Sequence, residues 1–276
     1  MQFGISTFIT DQGIRPAPLA RAVEERGFDS LLITEHSHIP VDRRSPYPAG
    51  GPLPDIYYRT LDPFVALGAA ASVTERLLLG TGVALVVQRD PFHTAKEVAS
   101  LDLVSGGRAV FGVGVGWNRE EMENHGTDPS SRGRLVNDRL RAIRTLWTRE
   151  QAEYHGEFVD FDPVYSWPKP VQDPHPPVWV GGGEAAFPRV TALGDAWLAL
   201  AHLAPPDQLG PQLERLRNVA GRVVPVTVHS AGHDAETVER YERLGVERLL
   251  FYLPTKPESE SLEWLDGIAE SAARHG

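Results

Sequence analysis

Two apolar patterns alternate along the chain. Short runs rich in Val, Ile, Leu and Phe, at residues 2–6, 30–34, 77–85, 109–115, 177–181, 196–201, 224–228 and 248–253, read as strands buried on both sides. Longer stretches with one apolar face, at residues 18–26, 63–73, 132–148, 207–219, 235–244 and 260–273, read as helices. The clearest unit spans residues 94–118. There Ala95, Val98, Ala99, Leu101, Asp102 and Val104 recur at helical spacing, and Ser105, Gly106 and Gly107 stop the helix. Ala109, Val110, Phe111, Gly112 and Val113 then form a buried strand that ends on Gly114, Gly116, Trp117 and Asn118. Eight strands alternating with helices predict parallel βα units, and at 276 residues an α/β chain closed into one (β/α)8 TIM barrel over residues 1–276. An open doubly wound sheet is the alternative, but its phosphate fingerprint is missing. Gly112, Gly114 and Gly116 give GxGxG, and Trp117 stands where GxGxxG needs Gly.

Two segments exceed a minimal barrel. Residues 37–60, after the second strand, hold five prolines and three arginines around a turn at Gly50, Gly51 and Pro52, and read as a long loop insertion that is a lid or disorder. Residues 153–170, EYHGEFVDFDPVYSWPKP, alternate around a turn at His155 and Gly156 and predict a β-hairpin insertion before the fifth strand.

A parallel barrel keeps its chemistry where the strands end. Gly181, Gly182 and Gly183 follow a strand and precede a helix start, so their backbone either cradles a phosphate or serves a tight turn. Thr81, Gly82 and Val83 close the third strand, with Gly82 marking a close backbone approach or simple packing. Glu35 and His36 end the second strand, where an imidazole either exchanges a proton near neutral pH or plays a structural part. Trp117 on the lip walls a pocket for a flat or hydrophobic substrate, or fills the barrel top. His202, ending the sixth strand, is a second pocket residue.

Arg89, Asp90 before Pro91, and His93 read first as a helix start and second as contacts to a cofactor or substrate, and Asn118 before Arg119, Glu120 and Glu121 reads first as a helix cap and second as polar contacts to a ligand. Arg132, Arg134, Arg139 and Arg141, with Asp138 among them, read as a solvated or interface face. His36 and His38 share a face of an extended segment, but no further ligands follow at comparable spacing, so no metal site is expected.

A net charge of −10 argues against a nucleic-acid groove, which needs clustered Lys and Arg. The absence of cysteine excludes disulfides, thiolate metal sites and cysteine nucleophiles. No apolar run reaches the ~18 residues of a membrane span. The start MQFGIST lacks the zones of a signal peptide, so a cytoplasmic protein is expected.

In chain order, TEH at residues 34–36, LLLGTGV at 77–83, LDLVSGGR at 101–108, GVGVGW at 112–117 and PHPPVWVGGG at 174–183 resemble the luciferase-like monooxygenase superfamily. The nearest likeness is to its actinobacterial branch of oxidoreductases that use the deazaflavin coenzyme F-420, and it spans nearly the whole chain. The resemblance implies hydride transfer between coenzyme F-420 and a small organic substrate. FMN is the alternative cofactor, in a two-component monooxygenase supplied by a separate reductase, and a non-catalytic flavin-binding protein is the third reading. By the same resemblance, Glu35 and His36 lie beside the reacting edge of the cofactor, with His36 handling the proton. Thr81, Gly82, Val83 and Gly114 back the ring, with a cis peptide between Gly82 and Val83, and Gly181, Gly182 and Gly183 hold the phosphate. Residues 37–60 become a lid bordering the substrate pocket, and the hairpin's aromatic end approaches the site or a neighbouring subunit. A homodimer through barrel-side helices, with the apolar side of residues 132–148 as one such face, is also implied. Trp117 is a departure, because the family's deazaflavin-dependent sugar-phosphate dehydrogenases carry a catalytic glutamate there and a tryptophan near position 40. Sugar-phosphate oxidation is therefore not implied.

Overall fold

Strands that are apolar on both faces must be covered on both faces, and a closed parallel barrel ringed by helices does this. The computed structural model describes residues 1–275, and Gly276, the last residue of the expected domain, lies outside the described residues. The first half runs β1 (Gln2–Thr7), α1 (Pro16–Glu25), β2 (Ser30–Ile33), α2 (Pro63–Ala71), β3 (Leu78–Thr81), β4 (Ala84–Leu85), α3 (Pro91–Ser105), β5 (Ala109–Gly114) and α4 (Arg119–Asn124). It continues with α5 (Arg132–Thr148), β6 (Gln151–His155), β7 (Asp160–Tyr165), β8 (Val178–Gly181), α6 (Phe187–Leu193) and β9 (Ala196–Leu200). The chain then completes α7 (Pro206–Ala220), β10 (Val226–Ala231), α8 (Ala235–Arg243), β11 (Arg248–Leu253) and α9 (Glu258–Ala272).

The barrel strands pair in the order β3, β2, β1, β11, β10, β9, β8, β5, β4, all parallel, and β3 closes onto β5 through Leu79 against Ala109 and Gly80 against Val110. This is the expected (β/α)8 barrel. Its strand interior is plugged by Leu32, Val110, Trp179, Ala196, Leu198 and Leu250. Alternate residues, among them Leu31, Ile33, Phe111, Val180, Trp197 and Phe251, pack outward against the helices. At the end where the strands begin, the Arg248 guanidinium lies 5.0 Å from the Trp179 ring centroid and donates to Asp29 at 2.7 Å.

Helix boundaries follow local chemistry. Asp62, Asp90, Asn118 and Asp234 accept from the amides of Val65, His93, Glu121 and Thr237, capping α2, α3, α4 and α8. Gly106 ends α3 in the left-handed region at φ 70°. Asp102 is buried, but as an acceptor rather than a packing group: its carboxylate binds the amides of Val171 at 2.7 Å and Gln172 at 2.9 Å, fastening the segment after the hairpin to α3. Val104, expected on the inner face, points outward and is 62% exposed. Among the described residues no helix is long and apolar enough to cross a membrane.

Three further expectations are corrected. The third strand is not continuous over residues 77–85: the peptide between Gly82 and Val83 is cis, β3 stops at Thr81, and the ladder resumes at Ala84 against Val113. The apolar side of α5 is not free for a second subunit, because Leu135, Val136, Leu140, Ile143, Leu146 and Trp147 are buried within this chain. Nor is the arginine-rich face wholly solvated. Arg139 donates to the Val86 carbonyl at 2.8 Å, and Asp138 is buried, accepting from the Tyr154 hydroxyl at 2.5 Å and from the amides of Phe158 at 2.7 Å and Val159 at 3.0 Å.

Asp138 thereby holds the expected hairpin, formed by β6 and β7 with its turn at residues 156–159. Burial pushes the Asp138 carboxyl up, but the Tyr154 hydroxyl and the amides of Phe158, Val159 and Glu157 outweigh it and hold it below the usual range. Replacing Asp138 by Ala removes charged hydrogen bonds worth ~2–3 kcal/mol. Urea unfolding will show that loss, with faster amide exchange at Phe158 and Val159 than at the barrel strands.

Candidate functional site

Because every barrel strand is parallel, one end of the barrel collects the residues that follow them: Glu35 and His36 after β2, Val83 after β3, Trp117 after β5, Gly182 and Gly183 after β8, and His202 after β9. The structure brings the predicted site residues to this one mouth, with different surroundings for each.

Val83 forms the floor, packing on the interior plug. The glycines around it are explained by its bulk: a Cβ on Gly114 would lie 2.6 Å from Val83 Cγ2, and one on Gly181 would lie 2.8 Å from Val83 Cγ1. A Cβ on Gly82 would come within 2.6 Å of His229 Nε2. Thr81 is buried and donates its hydroxyl to the Gly112 carbonyl at 2.6 Å. A Cβ on Gly183 would meet Leu203 Cδ1 in ordinary contact at 3.8 Å, so no crowding excludes a side chain there. Gly182 adopts φ 128°, which an L side chain rarely tolerates, and its carbonyl accepts from Trp197 Nε1 at 2.7 Å.

His36 is buried beside the mouth. Its Nδ1 lies 2.8 Å from Glu121 Oε2, and the two side chains are 4% and 0% exposed. Tyr57 and Trp117 flank the imidazole, with ring centroids 5.2 and 5.9 Å away, and Tyr47 packs on both of these rings. Tyr47 and Tyr57 belong to the insertion at residues 37–60, which is ordered across the mouth and contains a 3₁₀ turn at Asp55–Tyr58. Burial pushes the Tyr57 hydroxyl up, so it remains a protonated phenol. Arg43, also from this lid, places its guanidinium 5.8 Å from the Trp117 ring centroid.

The lid is fastened along α4. Arg44 Nε donates to Glu120 Oε1 at 3.2 Å, the Ser45 amide donates to Glu120 Oε2 at 3.3 Å, and the Arg119 amide donates to Ser45 Oγ at 3.0 Å. Nearer its root, Ser37 Oγ lies 2.7 Å from His125 Nε2, and His38 Nε2 lies 3.0 Å from Asn124 Oδ1.

Glu35 turns away from the aromatic group. It ion-pairs with Arg89 and accepts from the Leu85 amide at 2.7 Å. Burial pushes its carboxyl up, opposed by the Arg89 guanidinium and that amide. Arg89 also reaches Glu97 at 2.6 Å and lies with Glu35 in a cavity of about 270 Å³ beside the lid's root.

His202 sits exposed in the turn after β9. A second histidine, unanticipated from the sequence, lies deeper. His229 on β10 is buried, with Nδ1 2.8 Å from Ser230 Oγ and Nε2 without a hydrogen-bond partner. Burial, with His202 adding to it, pushes the imidazole down to about 4. Tyr47 and Tyr57 were likewise unassigned by sequence, while Arg89 and Glu121 were read first as parts of helix starts and only second as ligand contacts. The signal for His229 was its place in the alternation of Val226, Val228 and their neighbours; for Glu121 there was none beyond a helix start.

A family model described as luciferase-like monooxygenase matches residues 1–275. An uncharacterized protein of Mycobacterium tuberculosis is 40% identical over 283 residues, covering 99% of each chain. The crystal structure of a monooxygenase from Streptomyces bottropensis superposes with a TM-score of 0.78 at 21% identity, covering 100% of this chain and 99% of that one. A coenzyme F-420-dependent secondary alcohol dehydrogenase, in complex with an F-420-acetone adduct, superposes at 0.74 with 18% identity, covering 98% and 99%. At such identities the superpositions show the fold alone.

Two measurements check the packing of this mouth. Gly114→Ala overpacks against Val83 and costs ~1–3 kcal/mol, while adding Val83→Ala makes the double variant less destabilised than the two single losses summed; urea unfolding of the four proteins reads this coupling. His229 has a folded pKa of about 4 against an ordinary 6.5, so the unfolded chain binds more protons between those values. The stability its neutral form contributes is full above 6.5 and falls away as pH drops towards 4. Between about pH 7.5 and about pH 4.5 the wild-type protein should lose ~2–3 kcal/mol more than His229→Gln, seen as converging urea midpoints.

Proposed function

Since the chain belongs to the luciferase-like monooxygenase family, we propose that it is an oxidoreductase that transfers a hydride between coenzyme F-420 and a small organic substrate. The observation that carries this reading is the buried His36, fixed through Nδ1 by Glu121 and set among Trp117 and Tyr57 at the barrel mouth. An imidazole held in this way exchanges a proton at its other nitrogen, Nε2.

A flat ring carrying a phosphate-bearing chain is the ligand this reading puts at the mouth. Val83 offers an apolar floor, and the left-handed Gly182 with Gly183 beside it supplies a turn without side chains next to which an anion would sit. In this reading Val83 supports the ring, Gly182 and Gly183 hold the phosphate, and Thr81, Gly114 and Gly181 shape the floor without touching the ligand. The deazaflavin would supply the hydride-exchanging carbon, standing where a flavin has nitrogen, which disfavours oxygen activation. His36 Nε2 takes the proton of a substrate hydroxyl on oxidation or returns it to a carbonyl oxygen on reduction. Trp117, Tyr47 and Tyr57 exclude water and select a flat or apolar substrate, with His202 at the far wall. Glu35, tied to Arg89, orients the strand end that carries His36.

Titrating cofactor-free protein with oxidised coenzyme F-420 and separately with FMN, followed by ring absorbance and fluorescence, tests the reading. Micromolar deazaflavin binding with FMN at least about tenfold weaker, ~1.4 kcal/mol, is expected. The reverse preference would replace this function by an FMN monooxygenase that depends on a separate reductase. Binding without any change of cofactor redox state across alcohols, ketones and enones would replace it by a flavin-binding protein.

A further inference from the structure

We infer that Glu121 is a positioning residue for His36, resting on the proton-exchange reading above: it holds the imidazole with a proton on Nδ1 and ties that orientation to the seat of the lid.

The two oxygens of one fully buried carboxylate are divided between two donors. Oε2 faces His36 Nδ1 at 2.8 Å, and Oε1 accepts from the Ser37 amide at 3.1 Å. An ionised carboxylate only accepts, and the Ser37 amide is a fixed donor, so the remaining oxygen orders His36 to donate from Nδ1. The proton therefore sits on Nδ1 whether the ring is neutral or cationic, and exchange is confined to Nε2. Among the described residues no Lys or Arg side chain forms an ion pair with Glu121, which leaves the imidazole and the Ser37 amide as the partners of its carboxylate. The short helix that carries Glu121 is itself tied to its surroundings at three points. Asn118 Oδ1 accepts from the Glu121 amide at 3.3 Å, the adjoining Glu120 is occupied by Arg44 and Ser45, and the lid root is pinned through His125 and Asn124. Because Ser37 directly follows His36, the same residue that orders the imidazole also anchors the first step of the lid.

An isosteric amide cannot satisfy both donors. In Glu121→Gln one oxygen remains; the Ser37 amide can only donate, whereas the imidazole nitrogen can become an acceptor, so the amide keeps the oxygen and the imidazole faces the NH₂ group. Its proton then moves to Nε2 and the exchanging nitrogen is blocked. The test is ¹⁵N–¹H spectroscopy of the cofactor-free full chain labelled at histidine, at about pH 8, with His36→Asn used to assign the His36 signals. Wild-type protein should show Nδ1 protonated. An unprotonated Nδ1 in wild-type protein overturns the inference whatever cofactor the protein uses, and needs no variant to fold. In Glu121→Gln the His36 proton should shift from Nδ1 to Nε2. Turnover should fall by about 10²–10⁴-fold in kcat with little change in KM, the contribution of one general acid–base group. A variant that keeps the Nδ1 proton and full kcat would also overturn it. Failure to bind coenzyme F-420, by contrast, would sink the proposed function while leaving the tautomer result standing.

Discussion

The barrel mouth depends on one steric constraint: Val83 leaves the line of β3 and lies over the interior plug, and its methyl groups occupy the space that side chains on Gly114 and Gly181 would need. Two neighbouring strands, β5 and β8, give up side chains to a single valine. The floor is therefore apolar and closed, and anything bound at the mouth meets Val83 rather than a channel through the barrel. The glycines of GVGVGW and of the triple-glycine loop thus divide into two kinds. Gly114 and Gly181 make room for Val83, whereas Gly182 is required by its backbone angle of φ 128° and Gly183 meets no crowding.

Above that floor the chain builds a roof from a segment that has no place in a minimal barrel. Tyr47 and Tyr57 come from the insertion and Trp117 from the end of β5, and they meet around His36. The short α4 joins the halves, because it begins immediately after Trp117 and its side chains accept from the lid. Placing Trp rather than a carboxylate at position 117 gives that roof an aromatic wall and leaves the ordering of His36 to a carboxylate four residues further along the chain.

Much of this was legible in the sequence. Parallel strands buried on both faces are apolar runs, and these recur eight times between amphipathic stretches, so the barrel and both insertions were readable from pattern. Ends were less so. The run at residues 224–228 continues as strand to Ala231, because His229 and Ser230 end the apolar run while the ladder persists through a register shift. The break after Thr81 was invisible to pattern, since Val83 is as apolar as its neighbours although its backbone has left the strand. His36 was found because it ends a strand. Glu121 was not, because acids in the first turn of a helix are ordinary, and only the fold brings it to a histidine 85 positions away. Asp138 was misread for the same reason: a buried carboxylate that accepts from distant amides looks, in sequence, like a polar residue of an exposed face, whereas Asp102 was placed on the inner face and lies buried there as an acceptor.

The fastening of the lid at Glu120 sets which solution variable reaches it. Burial pushes that carboxyl up, but the Ser45 hydroxyl and the amides of Glu120, Arg44 and Ser45 hold it at about 2, so it stays ionised through the range in which cells live. Arg44, its other contact, is 82% exposed, and its charge is open to the counterions of the medium. The Glu120 end of the roof is thus indifferent to ordinary acidification, while its Arg44 contact is one that dissolved salt can weaken, so at this clasp ionic strength rather than pH is the variable that counts.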